Sequence, residues 1–331
     1  MKTIALIART LILATVIGLA SCNKSADVLY FPLMISPPEV TTYPPEKVTS
    51  NTAVLSGTIT STGFGNISGS GIYIYPADGD VERRLLQDPS YTEMLYSDNP
   101  SDADFTIYFR QLLPNTSYHY RAFATNEAGT VYGEMKVLVT SYGTVNDSEG
   151  NLYQTIKIGD QVWMRENLNT TIYSDGSRIE GYYDSPEDGI FGKHYTWKAA
   201  MGTDLSQVSA RDVCPVGWHL PGDADWQKLL ASVGIPAEEL KTMGALGNDQ
   251  ASMLKGTGIG YWKDENVNNS TGFSVLPAGI VGEKGDNSSP LTAFWTSTPY
   301  IYYGFRKGTE KIIRGDDPNS KAYFSVRCLK N

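Results

Sequence analysis

One stretch of the sequence decides the fold of the first half of the chain: residues 113–126, LPNTSYHYRAFATN. Pro114 and Asn115 are a turn signal, because proline presets its φ angle and asparagine tolerates left-handed backbone angles. The residues after them alternate with the period of two that is typical of a β-strand. One face of the strand carries only small or aromatic residues, namely Tyr118, Tyr120, Ala122 and Ala124. The other face carries a mixed set, namely His119, Arg121 and Phe123. The stretch predicts a strand that buries one face and is entered through a tight turn.

The same strand-and-turn pattern extends outward from this stretch. Short runs rich in β-branched and aromatic residues alternate with clusters of Gly, Asp, Asn and Pro, as at residues 54–59, 71–75 and 105–109. Such spacing is typical of all-β domains. Two Pro-Pro steps, at 37–38 and 44–45, indicate extended chain at the beginning of this region. We therefore predict an all-β domain over residues 37–141.

Residues 112–129 resemble strand F of the fibronectin type III domain and the turns beside it. The matching positions are Leu112-Leu113-Pro114, Thr116, Tyr118, Ala124, Asn126 and Gly129. The resemblance implies a β-sandwich over residues 37–141. It also implies that the Tyr118 hydroxyl bonds back to the preceding turn, as the corner tyrosine does in such sandwiches.

The second half of the chain, residues 142–331, mixes strands with short helices. A helix is clear from Asp223 to Val233, because its apolar residues fall at i, i+3, i+4 and i+7: Trp226, Leu229, Leu230 and Val233. Residues 155–164 predict a hairpin with Gly159-Asp160 at its tip. We further predict three short helices, at residues 197–201, 237–243 and 249–255. The last strand is predicted at residues 323–328.

Short blocks in this half resemble the "Fibrobacter succinogenes major paralogous domain", a family of secreted and lipid-anchored proteins. They appear in order at residues 147–153, 158–168, 195–197, 214–221, 226, 272–279, 294–297 and 325–328. The resemblance implies an α+β fold related to the C-type lectin-like group. That fold has a curled antiparallel sheet, few short helices and a disulfide near the C-terminus. One departure is Gly222, which has no side chain to cap the helix that follows.

The amino terminus has the features of a bacterial lipoprotein signal. A charged stub precedes an apolar run that ends in Leu19-Ala20-Ser21-Cys22, which resembles a lipobox. We expect residues 1–21 to be removed, Cys22 to be acylated, and residues 22–36 to form a tether to the membrane. The alternative is an ordinary secretory signal that ends in a chance cysteine. Asn23 favours the outer membrane, and the sequence leaves open which of its faces carries the protein.

Two cysteines remain, Cys214 and Cys328. An even pair of thiols outside the inner membrane favours a disulfide. The alternative is a reactive or metal-binding thiol, including the redox thiols of the formylglycine-generating oxidases in the C-type lectin-like group. A disulfide would leave no thiol for that chemistry.

The charge of the chain excludes some classes of partner. The formal net charge is −9, and it becomes −11 when residues 1–21, which hold two basic and no acidic residues, are removed. Nucleic acids and anionic lipid surfaces bind basic clusters, and the chain has no run of Lys or Arg. We expect no nucleic-acid partner, and contact with the membrane only through the lipid on Cys22.

No catalytic, metal or cofactor site emerges from the motifs. The histidines are expected on a strand or in packed blocks: His119, His194 and His219. Residues 264–269 offer oxygens at alternate positions, as a calcium loop does, but Asn269 and Val275 stand where such a loop needs Gly and Glu. Phosphate-loop and nucleophile-elbow motifs are absent from the sequence.

Four aromatic residues outside the family blocks are candidates for ligand binding: Trp262, Tyr300, Tyr302 and Tyr303. Exposed rings in loops stack on sugars or on partner proteins, and the alternative is ordinary packing. The sequence as a whole predicts a non-catalytic envelope lipoprotein that binds a polysaccharide or a surface ligand. The alternatives are a structural or assembly component bound to another envelope protein, and a carbohydrate-active accessory protein or hydrolase.

Overall fold

A computed structural model describes residues 34–77, 93–99, 102–185, 189–202, 212–258, 261–262, 266–282, 290–318 and 321–331. The predicted signal, Cys22 and most of the predicted tether lie outside these residues. Within the described ranges, no helix has the length and apolar character needed to cross a membrane.

The first half folds as a sandwich of two antiparallel sheets. One sheet has the strand order β1-β2-β5, and the other has the order β4-β3-β6-β7 with β8 also paired to β6. The strands are β1 Glu39–Thr42, β2 Thr52–Ser61, β3 Gly69–Pro76, β4 Glu93–Tyr96, β5 Asp104–Arg110, β6 Ser117–Asn126, β7 Gly129–Tyr132 and β8 Lys136–Val139. The facing sides of the two sheets enclose one apolar cluster, which includes Leu55, Ile72, Phe109 and Tyr120.

The stretch that predicts strand β6 folds as its alternation indicates. The four residues of its predicted inner face are buried, each less than 7% exposed: Tyr118, Tyr120, Ala122 and Ala124. Asn115, in the turn before the strand, has a left-handed φ of 49°. The Leu113 amide donates to the Tyr118 hydroxyl over 2.9 Å, which confirms the corner expected from the resemblance to fibronectin type III domains.

Within its described residues, the second half contains two further sheets and three short helices. The sheet orders are β14-β20-β11-β10-β9 and β12-β13-β19-β16-β17-β18-β15, and the second contains the parallel pair β16–β19. The first strands are β9 Gly143–Asn146, β10 Leu152–Ile158, β11 Gln161–Met164, β12 Tyr182–Asp184, β13 Lys193–Tyr195 and β14 Trp218–His219. The later strands are β15 Gly244–Leu246, β16 Leu291–Trp295, β17 Ile301–Arg306, β18 Ile312–Asp316, β19 Phe324–Ser325 and β20 Leu329–Lys330. The helices are α1 Trp197–Met201, α2 Asp223–Ser232 and α3 Gln250–Leu254.

Most local predictions for this half are confirmed. The apolar stripe of α2 is buried at Trp226, Leu229 and Leu230. The hairpin β10–β11 pairs Ile158 with Gln161 around a two-residue turn, in which Gly159 has a φ of 57°. Helices α1 and α3 form where they are expected.

Helix α2 begins without a side-chain cap from its own N-cap residue, Gly222. The free amides of the first turn are satisfied by other residues instead. The Gly222 amide donates to Asp225 Oδ2 at 2.8 Å, and the Asp223 amide donates to Thr298 Oγ1 at 3.0 Å. A residue 75 positions away in the sequence thus supplies the missing cap.

Two local predictions are wrong. Residues 237–243 form successive turns, in which Glu239 N donates to Pro236 O and Thr242 N donates to Glu239 O, so the bonding stays at i→i+3 and no helix propagates. Of the predicted last strand, residues 323–328, only Phe324–Ser325 forms a strand. Phe324–Ser325 pairs with β13, and the next strand, β20, begins only at Leu329. The chain crosses from one sheet to the other between them, and this turns Arg327 into the core.

The apolar interior of residues 142–331 is closed by the predicted disulfide. Cys214 and Cys328 are bonded, with their Cα atoms 5.8 Å apart, inside a buried cluster that also contains Trp295 and Phe324. A second cluster surrounds Trp226 and includes Val139 from the sandwich strand β8. The sandwich and the second half therefore share part of one hydrophobic core.

Candidate functional site

A cleft of about 330 Å³ lies between the sandwich and the second half of the chain. Its volume falls within the range of pockets that hold small ligands. The sandwich supplies residues 44–45 and 134–137, and the second half supplies residues 256–258, Trp262 and residues 266–268. The wall is therefore mixed: proline, methionine and tryptophan provide apolar surface, while Glu134, Lys136 and two asparagines provide polar groups.

Trp262 is the one predicted ligand-binding residue that lines the cleft, but it is not an exposed ring. Its exposed fraction is 7%, and its indole Nε1 donates to Val275 O at 2.8 Å. The Lys255 ammonium lies 4.5 Å from the ring centroid and donates to the carbonyls of Arg306 and Thr309 at 2.9 and 2.8 Å. These contacts hold the indole in one orientation, so it presents a fixed surface to the cleft.

The three predicted tyrosines do not line the cleft. Tyr303 is fully buried on β17 and stacks on Trp226 with ring centroids 5.0 Å apart. Tyr302 is half-buried and packs edge-on to Phe324, and Tyr300 lies in the preceding turn with a φ of 69°. Because neighbours on a strand point to opposite faces, Tyr302 and Tyr303 serve different parts of the core. The expectation that these rings and Trp262 form exposed loop surface is wrong for Tyr303 and Trp262.

Asp223, at the start of α2, holds a polar network beside the buried Tyr303. Its Oδ1 accepts from Tyr303 Oη at 2.8 Å and from Arg314 Nε at 2.9 Å, and its Oδ2 accepts from Arg314 Nη2 at 2.8 Å. Burial acts to raise the pKa of Asp223, but the bonds from Arg314 and Tyr303 outweigh it, and the pKa is lowered. The carboxylate therefore stabilises the folded chain.

We expect the Asp223→Asn substitution to lower the free energy of unfolding by about 1 to 3 kcal/mol at neutral pH, since it weakens hydrogen bonds to a charged group. The folded-state pKa of Asp223 lies below the unfolded one. The contribution of the Asp223 carboxylate to the free energy of unfolding is therefore complete above its unfolded-state pKa, and it is lost as the pH falls through its folded-state pKa. Urea unfolding at pH 7 and at about pH 3 should show a difference between wild type and variant that shrinks in acid. Asp184→Asn, which removes only an exposed ion pair with Lys193, should change little; a pH-independent loss in Asp223→Asn would contradict the prediction.

The three histidines lie apart from the cleft. His194 is fully buried with its Nε2 3.3 Å from Gly279 O, and burial lowers its pKa. The half-buried His219 has Nδ1 2.6 Å from Asn331 Oδ1, and His119 packs edge-on to Tyr75 on the sandwich. In the described part of the chain, no three His, Cys, Asp or Glu side chains converge as metal ligands would.

The calcium-like segment falls only partly within the described residues, because Asp264 and Glu265 lie outside them. The three asparagines that are described already have protein partners, and Asn268 Oδ1 accepts from Ser270 N at 2.9 Å. Asn266 Nδ2 donates to Glu310 Oε1 at 2.6 Å, and the Asn269 amide exchanges bonds of 2.8 and 3.0 Å with Ser274. Asn269 therefore fixes a loop in which both it and Ser274 have left-handed φ angles of 50° and 60°.

The sequence did not indicate the sandwich side of the cleft. The Pro-Pro step at residues 44–45 predicts only extended chain, and residues 134–137 carry no motif. They meet Trp262 only because β8 packs against the second half of the chain through Val137 and Val139. The only available signal was the apolar character of strand β8, which has a single charged residue, Lys136.

Comparisons with known proteins give one extended match and several short ones. The sensor domain of the anti-sigma factor RsgI4 in Pseudobacteroides cellulosolvens is 19% identical, covers 32% of this chain and 97% of its own, and has a TM-score of 0.25. The fourth FNIII domain of a human protein is 17% identical, covers 37% of this chain and 95% of its own, and has a TM-score of 0.26. Scores this low carry no argument, so the sandwich fold rests on its strand order and tyrosine corner.

No curated protein matches the chain. The Fibrobacter succinogenes major domain, in contrast, matches residues 156–330, which is more than half of the chain. The matched range contains the disulfide, helix α2 and Trp262. The chain therefore belongs to the Fibrobacter succinogenes major domain family.

Proposed function

We propose that this protein is a non-catalytic glycan-binding lipoprotein of the bacterial cell envelope, in which the cleft beside Trp262 holds the sugar. The observation that carries the proposal is the composition of the cleft wall. A fixed indole, Met135 and two prolines line the same cleft as amide, carboxylate and ammonium groups. A sugar has the matching chemistry, with apolar C–H faces and hydroxyl groups around its edge.

Polar groups are available at the rim of the cleft. Lys136 Nζ lies 3.0 Å from Glu134 Oε2 in an exposed ion pair, and both can exchange bonds with hydroxyl groups. Asn268 adds a side-chain amide whose Oδ1 accepts from Ser270 N at 2.9 Å and whose Nδ2 can donate to a ligand. This arrangement supports binding and orientation, and the proposal assigns no chemical step to it. We also propose, on the resemblance alone, that the second half is related to the C-type lectin-like group.

Binding is expected to depend on the indole of Trp262. The full-length lipoprotein in detergent should retain at least one oligosaccharide on a glycan array, and Trp262→Ala should weaken that binding at least about tenfold. Because Trp262 is packed, Trp262→Phe and the rim variant Asn268→Ala test the same site with less disturbance of the fold. Tyr183→Ala, an exposed ring that does not line the cleft, is the matched control. A wild-type protein that retains no glycan would overturn the proposal.

Membrane attachment is proposed to occur through a lipid on Cys22, with the protein on the outer membrane. The lipobox-like residues 19–22 support this, and the acidic charge leaves no other evident mode of attachment to an anionic lipid surface. Wild-type protein should partition into the detergent phase, and Cys22→Ala should partition into the aqueous phase. Mass spectrometry showing an intact, unmodified leader on envelope protein would contradict the proposal.

A further inference from the structure

We infer that the outer face of the sandwich sheet β4-β3-β6-β7 binds an acidic, carboxylate-bearing polysaccharide as it extends out of the cleft. This inference rests on the proposed function, since it assigns a substrate class and a second contact surface to the same glycan. The aromatic face, as we call it, consists of Tyr73, Tyr75, Tyr96, Arg121, Phe123 and Tyr132.

The aromatic face is a continuous set of rings on neighbouring strands. Tyr73 lies 5.5 Å from Tyr75 and 6.2 Å from Tyr132, measured between ring centroids. Phe123 lies 5.3 Å from Tyr96 and 6.4 Å from Tyr132, and these two outer tyrosines are 60% and 42% exposed. Phe123, although on the outer side of its strand, is only 1% exposed. A buried phenylalanine beneath exposed tyrosines gives a firm apolar surface with hydroxyl groups at its edge.

Arg121 gives this face its charge preference. Its guanidinium carbon lies 3.9 Å from the Tyr132 centroid and 5.6 Å from the Tyr73 centroid, so the cation is held between two rings. Within the described residues no carboxylate forms an ion pair with Arg121, and its buried Nε has no hydrogen-bond partner. An arginine that is held between two rings, and that has no carboxylate partner among the described residues, can pair with a carboxylate on the ligand.

The aromatic face and the cleft are joined at Met135. The Tyr75 hydroxyl lies 3.9 Å from Met135 Sδ, and Met135 lines the cleft. The rest of the same sheet face is not open, because Val137 and Val139 on β8 pack against the core of the second half. A bound chain that leaves the cleft at Met135 therefore meets Tyr75 and then the other rings. This continuity favours a linear polymer as occupant over a short oligosaccharide.

The experiment compares two polymers that differ only in charge. Full-length lipoprotein in detergent is titrated with polygalacturonate and with its carboxyl-reduced, neutral form, by biolayer interferometry. Wild type should bind the acidic polymer at least tenfold more tightly, and added salt should reduce that preference. Arg121→Gln should abolish the preference, and Tyr96→Ala should weaken binding of the acidic polymer at least fivefold. The matched controls lie on β5 of the opposite sheet: Arg110→Gln and the 65% exposed Tyr108→Ala should bind as wild type.

The outcomes separate this inference from the proposed function. If Trp262→Phe weakens glycan binding while Arg121→Gln and Tyr96→Ala bind both polymers as wild type does, the inference is overturned and the cleft proposal stands. Equal affinity of wild type for the charged and neutral polymers also overturns it. If wild type retains no glycan of any kind, the proposed function is overturned, and this inference is overturned with it. A crosslink from residue 96 to an envelope protein, with no polymer bound, would assign the face to a protein partner and overturn the inference.

Discussion

Removing the disulfide by the double substitution Cys214→Ala/Cys328→Ala is expected to lower the free energy of unfolding by roughly 4 to 5 kcal/mol. The bridge joins residues 114 positions apart, so it removes much of the conformational freedom of the unfolded chain. Both sulfurs are buried beside large apolar side chains, so the variant also leaves a small void. The midpoint of thermal unfolding should fall by roughly 10 °C or more. We replace both cysteines together because a single substitution would leave a buried reactive thiol.

Reduction of the wild-type protein is the internal control for this prediction. A strong reductant under mildly denaturing conditions should lower the wild-type midpoint toward that of the double variant and should leave the variant unchanged. Equal stability of the oxidised wild type and the variant would contradict the prediction.

The Arg327→Met substitution is expected to cost roughly 3 to 5 kcal/mol, because it removes a buried cation from a set of buried acceptors. Arg327 is 1% exposed, and its Nη2 donates to Asn167 Oδ1 at 2.8 Å. Its Nη1 donates to Phe273 O, and the guanidinium carbon lies 4.6 Å from the Phe273 ring centroid. Methionine fills much of the same volume but leaves Asn167 and Phe273 O without this donor. Arg306→Met, at an exposed position of β17, is the matched control and should change little.

The loss in Arg327→Met is expected to depend on pH through Glu166. Burial raises the pKa of Glu166, while the positive charges of Arg165 and Arg327 lower it. Removing Arg327 raises the folded-state pKa of Glu166 further. Protonated Glu166 then favours the folded variant below the unfolded pKa of this carboxyl, and this contribution is lost as the pH rises through the folded-state pKa. The deficit of the variant against wild type therefore grows with pH. Urea unfolding should show a larger deficit at pH 8 than at about pH 4. A deficit that is the same at both pH values would contradict this role, and the double variant Glu166→Gln/Arg327→Met should remove the pH dependence.

Local patterns predicted local structure well in this chain. The alternation around Tyr120 and the turn before Tyr118 predicted β6 and its corner, because strand periodicity and turn chemistry involve only near neighbours. The stripe through Trp226 predicted α2 for the same reason. The prediction failed for residues 237–243, where the residues favour a helix but the bonding stops at single turns, and for residues 323–328, where alternation could not show that the chain changes sheets.

The candidate site was less predictable than the fold. The sequence predicts Trp262 as an exposed loop aromatic, yet its indole is held by Val275 and Lys255, and it matters because it borders the cleft. Tyr303 is also an aromatic residue outside the family blocks, yet it is fully buried against Trp226. A sequence pattern does not distinguish these two rings, because burial depends on which distant elements cover them.

The sequence by itself determined four of the sandwich strands (β2, β3, β5 and β6), the main helix, the pairing of two cysteines and membership of a family, since these follow from periodicity, turn chemistry, cysteine count or an ordered set of motifs. Only the tertiary structure decided that Thr298 caps helix α2, that Arg327 turns into the core, and that β8 brings residues 134–137 to face Trp262. The physical reason is the distance along the chain over which each kind of interaction acts. Backbone preferences act over a few residues, whereas burial, long-range hydrogen bonds and clefts depend on segments that meet only after the chain has folded.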